Sequence, residues 1–217
     1  MLSHLVGVGV IALWMVLVII LAVFARKQWP MQRELSRKIV HIGSGPVLPL
    51  AWWLQIPAVL AVPVALGVTL VALINHRWRL LSVVEDVDRN SYGTVAYGLA
   101  ITTLLVLFWP QQPQAACAGV LVMAAADGLA GLIGRALQSP SWRIWGQTKS
   151  TAGTVTMLIV SLVALTTLAM LSPSSPGPIG LVVISLLAVG LEQLSRWGID
   201  NLSVPIAVGI SWHWMTI

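Results

Sequence analysis

The sequence predicts an all-α, polytopic integral membrane protein, and three observations lead there. Of its 217 residues, 58% are hydrophobic and only 9% charged, where a soluble domain carries roughly 25% charged residues. Mean hydropathy is +0.90. Several apolar stretches reach the about 20 residues needed to cross a bilayer, with the charges confined to short segments between them. Such a surface could not face water all round, which excludes a soluble enzyme. The net charge of +5 and the pI near 10.2 would suggest nucleic acid in a soluble chain. Here the basic residues lie in loops, where they set topology, and no nucleic-acid partner is expected. The single cysteine, Cys117, lies in an apolar run, so there is no intrachain disulfide framework.

About eight spans are expected, all within a single domain over residues 1–217. The first, 4–25, has no basic segment before it and is followed by Arg26-Lys27. It therefore reads as a retained extra N-terminal span rather than a cleaved signal peptide. The next two, 39–54 and 56–75, are parted only around Gln55-Ile56-Pro57, and Pro46, Pro49 and Pro63 would kink or break helices there. Seven spans with one re-entrant segment is the alternative. Spans at 91–109 and 115–134 flank an uncharged turn, 150–171 follows a polar loop, and 178–195 and the short 203–217 complete the set.

Placing the N-terminus outside and alternating puts every basic residue on one side. Arg26, Lys27, Arg33, Arg37, Lys38, Arg77, Arg79, Arg89, Arg135, Arg143, Lys149 and Arg196 fall inside, while loops 110–114 and 172–177 carry no charge. That is the positive-inside pattern. The acids Glu34, Glu85, Asp86, Asp88, Asp127, Glu192 and Asp200 lie in the same inner loops or nearby helix ends. Tryptophans divide into an outer belt (Trp52, Trp53, Trp109, Trp212, Trp214) and an inner one (Trp29, Trp78, Trp142, Trp145, Trp197). A one-sided cluster of both charge signs suits a charged substrate arriving from the cytoplasm. A transporter would more often place such groups near the midplane between repeated halves, and no clear internal repeat is visible.

Four segments could carry chemistry. In Glu34–Gly43, a helix starting near Ser36 would put Arg37, Lys38 and His41 on one face, where two cations and an imidazole could clamp phosphate oxygens. The plainer alternative makes the cations topology charges and His41 an interfacial histidine. In Ala124–Arg135, Asp127 is an acid within an apolar run, which is costly and by default functional. Ala130, Gly131 and Gly134 follow on its face with almost no bulk, leaving room for a metal-bound phosphate or for another backbone. The plainer alternative is helix packing with Asp127 paired to Arg135.

In Gly146–Thr154, Lys149, Ser150 and Gly153 stand at a helix start as a possible phosphate cradle. It is not a Walker A loop, since Thr148 occupies the position before the Lys-Ser pair that needs glycine. Gly43-Ser44-Gly45 likewise fails as a dinucleotide fingerprint at Leu48, and no strand-rich βαβ segment accompanies either. In Glu192–Pro205, Glu192 could pair with Arg196, and Asp200 and Asn201 could cap the next span after a helix stop at Gly198. Capping does not explain two acids beside a basic cluster. Glu85, Asp86 and Asp88 read as solvated or paired with Arg89 before they read as metal ligands.

The order of these segments is more specific than any one of them. Arg37-Lys38-x-x-His41 after an acid, Asp127 with Gly134-Arg135, Lys149-Ser150-x-x-Gly153, and Asp200-Asn201-x-x-x-Pro205 occur in that sequence. Together they resemble the phytol kinase branch of the polyprenol kinase family over about residues 33–210, and more distantly dolichol kinase and the phosphatidate cytidylyltransferases. The resemblance implies an integral membrane kinase that phosphorylates an isoprenoid alcohol with CTP and Mg²⁺, in isoprenoid metabolism such as tocopherol biosynthesis. It implies that Asp127, Lys149, Ser150 and Gly153, with Gly134 and Arg135, form the nucleotide-metal site. Glu192, Asp200 and Asn201 would form the opposite wall, with Arg37, Lys38 and His41 beside them. Asp127, Glu192 and Asp200 would then be the metal ligands. Two positions depart from the family pattern: Ala126 replaces a glycine before the aspartate, and Gly131 stands where relatives often carry a second acid. Two metal ligands are therefore not assigned to this helix.

The expected activity is transfer of the CTP γ-phosphoryl group to a long-chain prenol, phytol first and geranylgeraniol or farnesol next. The site would face the cytoplasm from a bacterial inner or thylakoid membrane. Phosphoryl transfer needs mainly positioning and charge neutralisation, which Lys149, Arg37, Lys38 and a carboxylate-held Mg²⁺ would supply. His41 or one carboxylate would accept the alcohol proton. The rival readings are a CTP-dependent lipid cytidylyltransferase and a small-solute transporter. The oligomeric state is not legible.

Overall fold

The computed structural model describes residues 2–78 and 92–217. Arg79, Glu85, Asp86, Asp88 and Arg89 lie outside the described residues. The apolar runs fold as helices α1 (Leu2–Gln28), α2 (Arg33–Ser44), α3 (Val47–Trp53), α4 (Ala58–Trp78), α5 (Gly93–Phe108), α6 (Pro113–Leu121), α7 (Gly128–Ala136), α8 (Thr151–Leu171), α9 (Pro178–Gln193) and α10 (Asp200–Trp214). A π-helical turn, Val122–Asp127, joins α6 to α7, so the three form one apolar rod over Pro113–Ala136. Four helices among the described residues are long and apolar enough to cross a bilayer: α1 from His4, α4, the α6–α7 rod and α8. α5 and α9 are apolar but shorter, at 16 residues each.

Two expectations need correction. The segment 39–54 is not one unbroken helix: α2 ends at Ser44 and α3 begins at Val47, with the break at Gly45-Pro46. A proline has no N–H to continue the helical ladder and its ring crowds the preceding turn, so the helix stops there. Pro63, in contrast, sits within α4 without ending it. Nor is the chain wholly α-helical. Strands β1 (Ser141–Ile144) and β2 (Gln147–Ser150) form an antiparallel hairpin that pairs Trp142 with Lys149 and Arg143 with Thr148. Its two turn residues, Trp145 and Gly146, have φ of 52° and 79°. Two consecutive positive φ values make a primed turn, whose twist matches the flanking strands, and glycine adopts it without strain.

The α6–α7 rod is the centre of the molecule. Residues Ala115–Ala118, Val120, Val122, Met123 and Ala124 are fully buried, enclosed by α2, α5, α8 and α10. Small residues let these backbones approach closely. A Cβ at Gly119 would lie 2.2 Å from the Pro205 carbonyl oxygen of α10, so only glycine fits. Trp109 and Trp212, expected in the outer belt, belong to this core at 5% and 2% exposure, and Trp109 Nε1 donates to the Ile56 carbonyl at 2.8 Å. The outer flanks of α1, α4 and α8 present Leu, Val and Ile outward, as a surface solvated by lipid requires.

Candidate functional site

Helix α2 is amphipathic and lays its inner face on the π turn and α7. A Cβ at Gly128 would strike the Ile42 side chain at 2.3 Å, and one at Gly45 would meet Ala124 at 2.9 Å. That close seat brings Lys38 and His41 to Asp127 from far away in the sequence. Lys38 Nζ lies 2.6 Å from Asp127 Oδ2 and 3.1 Å from the Asp127 carbonyl oxygen. Its stem passes over Gly131, where a Cβ would come within 2.9 Å of Lys38 Cε. The missing side chain at 131 is what lets the ammonium reach the carboxylate. His41 Nε2 lies 3.3 Å from the same Oδ2 and 3.0 Å from the Met123 carbonyl. Both neighbours accept hydrogen bonds only, so Nε2 carries the hydrogen, and in the neutral ring Nδ1 is left as the acceptor.

Asp127 therefore pairs with Lys38 and His41, not with Arg135. Arg135 instead approaches Glu34 at 3.2 Å, and Glu34 also holds Arg37 at 2.7 Å. The carboxylate of Asp127 sits at the last position of the π turn. π turns inside α-helices widen the backbone locally and recur at functional sites.

The hairpin positions the second cation. Lys149 donates to the Glu192 carboxylate and, at 2.7 Å, to the Glu192 carbonyl at the end of α9. Glu192 is thus paired with Lys149 rather than Arg196, whose guanidinium lies 4.2 Å over the Trp197 ring. Trp142 of β1 donates to Gln193, and Gln193 in turn reaches Glu192 and Thr154. Ser150 is the N-cap of α8: its Oγ accepts from the Gly153 N–H and faces the Gly134 carbonyl, both at 3.2 Å. Gly134 and Gly153 lie face to face, where a Cβ on Gly134 would meet Gly153 Cα at 3.2 Å. These two glycines bring α7 and α8 together.

Asp200 opens α10 without capping it, since the N-cap is Ile199 and makes no side-chain bond. It is 8% exposed, and its Oδ1 has no hydrogen-bond partner among the described residues. A buried carboxylate oxygen without a donor is suited to a cation. Asn201 Nδ2 is 3.3 Å from the Gly198 carbonyl, in a turn where Gly198 has φ of 83°. Among the described residues no three His, Cys, Asp or Glu side chains gather around one point. Asp127, Glu192 and Asp200 are therefore not a preassembled three-ligand set. A divalent ion here would rest on one or two carboxylates, with phosphate oxygens completing its shell, as Mg²⁺ commonly does.

The candidate residues of the four segments line a single cavity of about 730 Å³. Arg37, Lys38, His41, Asp127, Lys149 and Ser150 border it, and so do Gly134, Arg135, Gly153, Glu192, Asp200 and Asn201. The four sequence segments thus meet in one place. Four further lining residues have no place in those segments' expected chemistry: Ser44, Asn75, Thr94 and Tyr97. Tyr97 is buried on α5, its hydroxyl 3.3 Å from Ser44 Oγ and its ring centroid 4.8 Å from that of His41. The one signal for it in the sequence is a polar pair three apart, Thr94 and Tyr97, at the start of a run whose other polar residues are Thr102 and Thr103.

Among known proteins, the chain is 36% identical over 212 residues to a phytol kinase of Synechocystis sp., covering 95% of this chain and 91% of that protein. It is 30% identical over 140 residues to chloroplastic phytol kinase 1 of Arabidopsis thaliana, covering 59% of this chain and 45% of that protein. No family model and no solved structure matches it. The first similarity runs through all four segments that meet in the cavity, and on that similarity the chain belongs to the phytol kinase family.

Proposed function

We propose that this protein is a CTP-dependent kinase of long-chain isoprenoid alcohols, phytol foremost, with geranylgeraniol and farnesol in the same class. It works at the cytoplasmic face of a bacterial inner or thylakoid membrane, with eight crossings and the N-terminus outside. The observation that carries this reading is the convergence of Lys38, Lys149, Asp127 and Asp200 on one cavity within a membrane protein similar to phytol kinases. The cavity offers cations for a triphosphate, carboxylates for its metal, and walls of apolar helices for a lipid alcohol.

In the reaction, the prenol oxygen attacks the γ-phosphorus of CTP. The bond from that phosphorus to the β,γ-bridging oxygen breaks, and CDP leaves with the electron pair. Lys149 and Lys38, with Arg37 and Arg135 at the rim, neutralise the phosphate charge and hold the chain of phosphates in line. Mg²⁺, when bound by Asp127 or Asp200, supplies further charge neutralisation on the phosphate oxygens. His41, oriented by Met123 and Asp127, presents Nδ1 as acceptor for the alcohol proton, with the carboxylates as the alternative acceptors. The buried ion pairs of Lys38 and Lys149 keep both ammonium groups fixed before substrate arrives, so little reorganisation is needed.

The test is incubation of the purified protein with γ-labelled CTP, Mg²⁺ and a panel of prenols. A labelled prenyl monophosphate together with CDP is expected. With a lipid phosphate in place of the prenol, release of the label as pyrophosphate with the cytidylyl group joined to the lipid would identify a cytidylyltransferase. Movement of a solute across vesicles without nucleotide consumption would identify a transporter.

A further inference from the structure

The cavity is polar at one end only. Away from Asp127 it continues as a cleft between α1 and α2 on one side and α4 and α5 on the other. Each of α4 and α5 contributes one face at helical spacing: Val68, Val71, Ala72 and Asn75 on α4, and Thr94, Tyr97, Gly98 and Ile101 on α5. On both, the polar members lie at the end near the charged site and the apolar members away from it. Met15 and Ile19 of α1 close the opposite wall. Helix α1 packs on α2 and α3, and α4 packs on α5, while any contact of α1 with α4 is slight. Ile19, Val68 and Val71 line the cleft and are still 37%, 62% and 58% exposed. The cleft is therefore open sideways, along the gap between α1 and α4, toward the lipid.

We propose that this cleft is the site of the prenol chain, entered laterally from the bilayer between α1 and α4, with the alcohol held where His41 and Tyr97 meet. The inference rests on the kinase reading and locates its lipid substrate. The occupant follows from the continuity of the cleft with the charged site. A linear apolar chain bearing one terminal hydroxyl matches a groove that is apolar along its length and polar only at its inner end. The hydroxyl of a buried alcohol needs a partner, and the Tyr97 hydroxyl and the His41 ring stand at the boundary between the two environments. From Asn75 to Val68 the groove runs about 10 Å along α4 at 1.5 Å per residue, shorter than a hydrocarbon leaflet of about 15 Å. The distal part of a long prenol then extends through the lateral gap into lipid.

The experiment has two arms. First, a C20 prenol carrying a diazirine in the first half of its chain, on the hydroxyl side, is photolysed with the wild-type protein in detergent, without nucleotide. Cross-links to α1 and α4 that unlabelled phytol competes away are expected, whereas cross-links confined to α8, α9 or α10 would overturn the proposal. Second, Ala72→Trp places an indole in the cleft, and Leu70→Trp places one on the opposite, lipid-facing side of α4. Ala72→Trp should raise the KM for phytol at least tenfold with the KM for CTP unchanged, and Leu70→Trp should change neither. An unchanged phytol KM in Ala72→Trp would overturn the site while leaving the kinase reading intact. A wild-type protein that is cross-linked as expected but transfers no label from CTP would do the reverse. The cross-linking arm decides the matter even if Ala72→Trp fails to fold.

Discussion

The Lys38–Asp127 pair is both a structural element and a candidate catalytic one, and the two roles separate by substitution. Lys38 and Asp127 side chains are 9% and 14% exposed, so each charge depends on the other for compensation. Removing one partner of a fully buried pair costs about 3–5 kcal/mol, because the remaining charge is stranded, and slightly less is expected at this partial exposure. Asp127→Asn should therefore lower the melting temperature in detergent as well as abolish turnover. The double variant Lys38→Met with Asp127→Asn removes both charges and keeps most of the volume. It should regain much of the thermal stability while prenol phosphorylation stays down by orders of magnitude. A double variant with near-normal turnover would make the pair purely architectural. Thermal unfolding and initial rates on the same preparations decide between the two.

Among the elements, the tightest seat is α6 on α10. A Cβ at Gly119 would lie 2.2 Å from a backbone carbonyl and 3.0 Å from Leu104, and a backbone cannot step aside as a flexible side chain can. Gly119→Ala should therefore separate the helices and depress both thermal stability and expression. At Gly67, within α4, an added Cβ would meet nothing within 4 Å. Gly67→Ala should accordingly be neutral or stabilising by about 0.5–1 kcal/mol. Equal effects of the two would mean that the α6–α10 contact is looser than described. The sequence shows that a small-residue face exists on this rod but not which neighbour it meets, because that depends on contacts between distant segments. The same limit applies at the site. Residue spacing brings Lys38 and His41 to one helical face, and the intramembrane position of Asp127 marks it as costly. Their pairing, and that of Lys149 with Glu192, arises only from tertiary packing, which displaces the local partners Arg135 and Arg196. The hairpin has two four-residue strands with a Trp-Gly turn in place of Asn-Gly, too short for alternation to register. The π turn among alanines carries no side-chain pattern at all, and Tyr97 is hidden by the apolar run around it.

At the scale of the whole molecule, the two ends of the helix bundle differ in kind. At one end lie the charge-free turns: Gln112 hydrogen-bonds His213 at the end of α10, the Trp109 indole reaches Ile56, and Gly180 sits beside Pro176 and Met215. At the other end meet the Lys38–Asp127 and Lys149–Glu192 pairs, the hairpin, and the contact of the Tyr92 N–H with the Trp197 carbonyl at 3.2 Å. Basic residues favour the cytoplasmic side during insertion, so this asymmetry predicts an orientation as well as a site. The native Cys117 is fully buried, which keeps the labelling background low. Gln111→Cys and Ser174→Cys should react with a membrane-impermeant maleimide added to intact cells, and Arg143→Cys on the exposed hairpin should react only after the membrane is opened. Labelling of Arg143→Cys from outside would invert the protein and place the charged cavity away from cytoplasmic CTP. The kinase reading would then need another source of nucleotide, so the orientation and the activity are tested together by one modification pattern.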